Sequence, residues 1–226
     1  MNTSKRFFDV HVIESNRSGK TAEGEALEHV LTISGIKTYH YPVSNSKELA
    51  GAFSKIAEHP RCLPHHRHFL PFLHFALHAT ESGVLVKGKL VHWNSLLELL
   101  APVRQRLEGN LMIAMSACAG FYGYQLACSH ERFTYHFLVG TRRTPLDWRD
   151  SILAFHIFYH SLFVRKTQPQ EAVAAMNVPL LSERYSFDYT FGSEVQRRYR
   201  VYKSVDQRLV ATRGRGNPPP LKRASL

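Results

Sequence analysis

The sequence predicts an α/β domain: a mostly parallel sheet with helices on both faces. Three observations point there. Strand-length apolar runs alternate with amphipathic helical segments along most of the chain. Most of the connections between them are short, as expected where successive elements pack side by side. One run, "NLMIAMSA" from Asn110, is almost continuously apolar, the pattern of a strand buried on both faces.

In chain order, Arg6 to Glu14 is a β-rich run, followed by a polar loop. "GEALEHVLTISG" has helical spacing, with Leu27, Val30 and Leu31 on one face and Gly35 as its stop. "IKTYHYPV" reads as a second strand, and Ser46 as the cap of a helix carrying Leu49, Phe53 and Ile56 at helical intervals. "HFLPFLHFALHA" reads as one long strand entered at Pro71. A hairpin turning at Lys87, Gly88 and Lys89 follows, then a helix opened by Asn94 or Ser95 and ending near Gly109. After "NLMIAMSA" come a short helix around "YQLACSH" and the strand "RFTYHFLVGT". Next are a long amphipathic helix begun at Pro145 and a short helix, "PQEAVAAMNV". From about Gln207 the chain is basic, poor in apolar residues and rich in helix breakers, which predicts a disordered tail, 207–226, after a domain spanning 1–206.

The 226 residues suffice for one domain with a real core. No apolar run reaches the roughly 18 residues needed to span a bilayer. The N-terminus lacks an apolar stretch with a cleavage site, so no signal peptide is expected. Three cysteines, Cys62, Cys118 and Cys128, suit free thiols in a reducing compartment, and a cytoplasmic location is expected. Of the net charge of +11, more than half lies after residue 182, where ten basic residues face four acidic ones. Basicity concentrated in a tail speaks for solvation or protein docking ahead of nucleic-acid binding.

Two runs end in chemically useful side chains: "LHFALHA" in His78, and "MIAMSACAG" in Cys118. Ligands of open parallel sheets collect at the carboxyl ends of strands. On adjacent strands these two residues would sit roughly 5–10 Å apart, given a strand spacing of about 4.8 Å. A thiol needs a base to become a strong nucleophile, and an imidazole supplies one. The small residues Ala79, Ala117, Ala119 and Gly120 would let a carbonyl approach backbone N–H groups. A cysteine inert in a core strand is the competing reading of the same pattern. "CLPHHRH", Cys62 to His68, matches no common zinc frame and reads as a polar loop, so no metal is expected. His74 is expected to be a satisfied core histidine. A glutamine amidotransferase would need a histidine with a Glu two residues on, after the cysteine; His130, His136, His156 and His160 lack it.

The order of these segments resembles the caspase-like cysteine peptidases, particularly the bacterial CHAT group related to caspases and separases. There a strand ends in His-Gly, a hairpin and crossover helix follow, and the next strand ends in a Ser-x-Cys-x-Gly turn. Here "LHFALHATESGVLV", "KLVHWNSLLELL" and "LMIAMSACAG" come in that order, with His78 and Cys118 forty residues apart, near the about 50 expected of caspases. The likeness extends from about Phe7 to Val178.

The resemblance implies a caspase-like three-layer sandwich and a cysteine endopeptidase with His78 as general base and acid and Cys118 as nucleophile. It also implies an oxyanion hole from the N–H groups of Ala79 and Cys118, no cofactor, and a protein or peptide substrate. Arg17, in "NRSGK", matches a caspase arginine that holds an acidic residue before the scissile bond. A role in bacterial stress, defence or cell death, switched on by a protein partner, is implied likewise. Ala79 departs from the family's glycine: it keeps the N–H but disfavours positive φ. The alternative is therefore a catalytically silent caspase-like protein-interaction module.

Overall fold

The computed structural model describes residues 8–15, 22–59, 71–107, 110–128, 135–142, 146–180 and 186–213. Elements follow one another as strand β1 (Val10–Glu14), helix α1 (Glu23–Ile33), β2 (Thr38–Pro42), α2 (Ser46–Ala57) and β3 (Phe72–Ala76). A three-stranded excursion comes next: β4 (His78–Thr80), β5 (Gly83–Val86) and β6 (Lys89–His92). The chain returns through α3 (Trp93–Leu99), α4 (Ala101–Leu107), β7 (Met112–Met115) and a 3-10 segment, Gly120–Ala127. It ends with β8 (Phe137–Thr141), α5 (Trp148–Phe163), α6 (Pro169–Asn177), β9 (Phe187–Phe191) and α7 (Gly192–Arg213).

The main sheet has the order β2-β1-β3-β7-β8-β9, parallel throughout except for β9. The period of two along the strands sorts its side chains. Ile13, Leu73, Phe75, Ile113, Met115 and Leu138 pack with α2, α3 and α4 on one face. Val12, Phe72, Met112, Ala114, Phe137 and Val139 pack with α1, α5 and α6 on the other. The expected α/β architecture, helices on both faces of a mostly parallel sheet, is what forms, and its layers are consistent with a three-layer sandwich.

Several boundaries differ from expectation for local reasons. The long strand breaks at Leu77, so His78 leaves the main sheet and joins the hairpin sheet β4-β5-β6. The helix expected from Asn94 to Gly109 is two, because Pro102 removes a donor and crowds the preceding turn. Asn45, not Ser46, caps α2: its side chain accepts from the Glu48 N–H at 2.9 Å. Strand β9 was not expected; Asn177 holds it by bonding both the N–H (2.8 Å) and the carbonyl (2.9 Å) of Phe187. Helix α7 runs on through Gln207 to Arg213, and 214–226 lie outside the described residues. The hairpin turn at Lys87 and Gly88 forms as expected, both with positive φ (48° and 81°), the pattern of a type I′ turn.

His74 is fully buried, with Nδ1 3.0 Å from the Tyr159 hydroxyl and Nε2 3.0 Å from Ser116 Oγ. Burial lowers its pKa to about 3, and burial with repulsion from His59 and Lys37 does the same to His11. Folded protein thus binds fewer protons at these sites than the unfolded chain, whose histidines titrate near 6.5. Above that pH the titration of neither group changes stability; as pH falls from about 6.5 toward 3, each removes roughly 1.4 kcal/mol per unit. Urea unfolding of wild type and His74→Gln at pH 7 and pH 5 should narrow the gap between them by about 2 kcal/mol on acidification. A gap independent of pH would sink this account.

Candidate active site

β3 and β7 are neighbours at the centre of the sheet, paired in parallel from Phe72↔Met112 to Phe75↔Met115. Their carboxyl ends therefore emerge side by side. His78 stands two residues past the end of β3, exposed; Cys118 stands three past the end of β7, half-buried.

Beyond Met115, the Ser116 N–H donates to the Phe75 carbonyl at 3.1 Å, extending the pairing by one step. The chain then turns: the Gly120 N–H donates to the Ala117 carbonyl at 3.0 Å, with Cys118 and Ala119 at the two corners. Ala119 has φ 55°, a left-handed conformation that costs a non-glycine residue about 1–2 kcal/mol. Such strain at a turn that presents a cysteine is found where function fixes the geometry. Packing holds the turn down. A Cβ on Gly120 would lie 2.6 Å from Met115 Cβ, and one on Gly140 of β8 would lie 2.7 Å from Gly120 C and from Phe121 N. These two glycines let the turn sit directly on β8.

A clasp built on Glu81 holds the hairpin that carries His78. The Glu81 carbonyl accepts from Trp93 Nε1 at 2.9 Å and Gln125 Nε2 at 2.8 Å, while its carboxylate accepts from the Tyr122 hydroxyl at 2.9 Å. Gln125 and Tyr122 belong to the 3-10 segment that follows Cys118, so the turn after His78 is tied to the turn after Cys118. At the hairpin's other end, the Lys87 N–H donates to Ser15 Oγ at 2.9 Å, just past β1.

Ala79 does not adopt positive φ: it is a strand residue opposite Val84, buried in the core. The strain that alanine would bring in place of glycine is therefore absent. Thr80 and Gly83 close a two-residue turn as a hydrogen-bonded pair, so alternation makes Ala79 and Val84 a non-hydrogen-bonded pair. The Ala79 N–H is thereby directed away from β5, to the open edge of the hairpin.

Cys118 Sγ accepts from the Leu146 N–H at 3.3 Å, which turns the sulfur toward the start of α5. Both described cysteines are free thiols; burial pushes the Cys128 thiol up. Arg17, Cys62, His130 and the Cys62–His68 stretch lie outside the described residues, where the expectation for Arg17 also falls. Among the described residues there is no group of His, Cys, Asp and Glu side chains able to hold a metal, and no helix long and apolar enough to cross a membrane. An open groove of about 580 Å³ over β2 and α2, lined by His40, Tyr41, Asn45 and Lys55 among others, does not include His78 or Cys118.

Sequence reasoning missed three residues around the turn: Glu81, Trp93 and Glu23. Glu81 sits in a polar hairpin turn and Glu23 in the first turn of a helix, where acidic residues are commonplace. Their roles depend on partners twelve to more than a hundred residues away. No family model matches this chain, and no curated protein matches it in sequence.

Gly140→Ala should destabilise the protein by about 1–3 kcal/mol, because the added methyl meets backbone atoms that cannot give way. It should also slow alkylation of Cys118 relative to Cys128. Denaturant unfolding and mass-mapped labelling measure both, and unaltered stability would refute the close approach.

Proposed function

We propose that this protein is a caspase-like cysteine endopeptidase working through His78 and Cys118. The observation that carries the reading is their emergence at the carboxyl ends of the adjacent central strands β3 and β7. The Glu81 clasp supports it by fixing one turn against the other. Likeness to the caspase-like group in segment order, with a hairpin between the histidine strand and the crossover helix, supports the finer fold assignment.

In this reading Cys118 Sγ attacks the peptide carbonyl carbon while its proton passes to His78. The carbonyl oxygen becomes an oxyanion held by the N–H groups of Ala79 and Cys118. The C–N bond breaks as His78 returns the proton to the leaving amine, and a thioester remains. Water, deprotonated by His78, then adds to the thioester; the thiol leaves and the new carboxyl end departs. No cofactor enters the cycle. A cytoplasmic effector role in bacterial stress, defence or cell death, with a protein activator, comes from the resemblance alone.

One observation favours a second reading, a catalytically silent interaction module: the sulfur is already engaged by the Leu146 N–H. Labelling with a peptide electrophile from pH 5 to 9 separates the two. As an enzyme, Cys118 should react at least about tenfold faster than Cys128 near neutral pH, and His78→Ala should lower peptide cleavage by roughly 100-fold or more. Cys118→Ala should abolish cleavage while leaving the fold intact. A Cys118 that reacts no faster than Cys128, with no cleavage, refutes the peptidase and leaves the silent module.

A further inference from the structure

The main sheet ends at β2, and the register there shows which backbone groups are left over. The Val10 N–H donates to the Lys37 carbonyl at 3.0 Å and the Val43 N–H to the Glu14 carbonyl at 2.8 Å, with Val12 opposite His40 between them. In a parallel ladder, alternate residues turn both of their groups toward the same neighbour. Tyr39 and Tyr41 are therefore bonded to β1, while the N–H and carbonyl groups of Thr38 and His40 point out of the sheet. Pro42 shares their parity. The donor it lacks would have pointed outward, so its ring removes nothing from the β1 pairing. Among the described residues no strand pairs with this edge, which is half-exposed from Thr38 to Tyr41.

The two faces beside the edge carry opposite charge. On the α2 face, Tyr41 packs against the core, and Tyr39, two residues before it, turns the same way. Lys37 Nζ lies 5.3 Å from the centre of the Tyr39 ring, and Lys47 and Lys55 of α2 line the groove together with His40 and Pro42. Glu48 also lines it, but its carboxylate is held at the start of α2 by the Ser44 N–H at 2.8 Å and Asn45 Nδ2 at 2.9 Å. Among the described residues none of the three lysines forms an ion pair. On the α1 face, His40 Nε2 meets Glu14 Oε2 at 2.9 Å, and the charges of Glu28 and Glu25 on α1 reach the same ring. Backbone donors and acceptors are thus flanked by cations on one side and carboxylates on the other.

An open sheet edge is a template for another strand. A strand added here would send alternate side chains to the two faces. The one that fits carries acids toward α2 and bases toward α1. A second copy of this chain does not fit. Twofold pairing of β2 with β2 keeps each face on its own side, which sets lysine beside lysine and glutamate beside glutamate. Residues 207–226 do not fit either, since they hold five basic residues and no acidic one.

We propose that the β2 edge is a docking site for an extended segment of a partner protein in which acidic and basic residues alternate, bound by strand addition. β1 lies between this edge and β3, so the inference stands apart from the peptidase reading.

The test titrates the full chain into a fluorescent peptide, Val-Glu-Lys-Glu-Lys-Glu-Val, blocked at both ends, and follows anisotropy. Its control, Val-Glu-Glu-Glu-Lys-Lys-Val, has the same composition without the alternation. The alternating peptide should bind at least about tenfold more tightly than the control. Lys47→Glu together with Lys55→Glu, both exposed, should weaken it by about tenfold or more. Backbone N-methylation at the peptide's lysines, or else at its glutamates, should abolish binding in one of the two cases, because only one set of N–H groups can face β2. These methylated peptides need no variant protein, so a substitution that fails to fold leaves the test intact. Equal binding of the two peptides, or binding that survives both methylations or the lysine substitutions, overturns the inference. Absence of binding at about 1 mM peptide does so too. Sedimentation showing a dimer that Thr38→Pro disperses would give the edge to a second copy and overturn it as well.

Discussion

The parallel register of β3 on β7 is the constraint on which the rest depends. It aligns Phe75 with Met115, so both strands run out of sheet at the same level. A shift of one residue would turn His74 to the opposite face and strand it among Phe53, Leu96 and Val103. His74 itself resists that shift. Its ring bridges Tyr159 on α5 and Ser116 at the end of β7, and Ser116 Oγ also donates to the Phe75 carbonyl at 3.3 Å. One buried imidazole thus ties two strands and a helix together, and its neutrality keeps the arrangement tolerable in a dry core.

Once the register is set, the hairpin does the positioning. A free three-stranded excursion of 15 residues, 78–92, would be marginal alone. Here it is held at both ends and in the middle: Ser15 takes the Lys87 N–H, Glu81 joins Trp93 to the 3-10 segment, and Val84, Val86 and Val91 reach the main core. His78 is exposed on this frame, and Ala79, the next residue, is buried by it. That alternation leaves the imidazole accessible while the backbone beneath it is fixed, which is what a site needs from its scaffold.

The layered architecture was legible because hydrophobic periodicity is local. Leu49, Phe53 and Ile56 lie on one turn-by-turn stripe and are all fully buried, whatever else the chain does. The positions of His78 and Cys118 at strand ends were legible for the same reason. The break at Leu77 was not, because nothing in a run of apolar residues says where a strand changes sheets. Strand β9 was missed because its pattern, Phe187 to Phe191, is short and half-exposed, and its place is fixed by Asn177 from another element. The concern over Ala79 came from the family pattern; the conformation here is ordinary strand, and the positive φ falls on Ala119 instead. Sequence reasoning knew the residue types and could not know which one bears the turn.

Glu14 and Glu23 show how the same side chain comes to different ends nine residues apart. Glu14 closes β1 and is met on both oxygens, by the Gly24 N–H at 3.0 Å and by His40 Nε2 at 2.9 Å; the His40 pKa is raised in return, chiefly by that hydrogen bond. It is a structural carboxylate, stapling α1 and β2 to β1. Glu23 instead has the hydroxyls of Ser116 and Ser151 beside it and the like charges of Glu14 and Asp147, and burial with that repulsion pushes its carboxyl up to about 7. A glutamine, or a leucine of similar size, would fill that space without the electrostatic penalty. The carboxyl is thus a net cost to the resting fold.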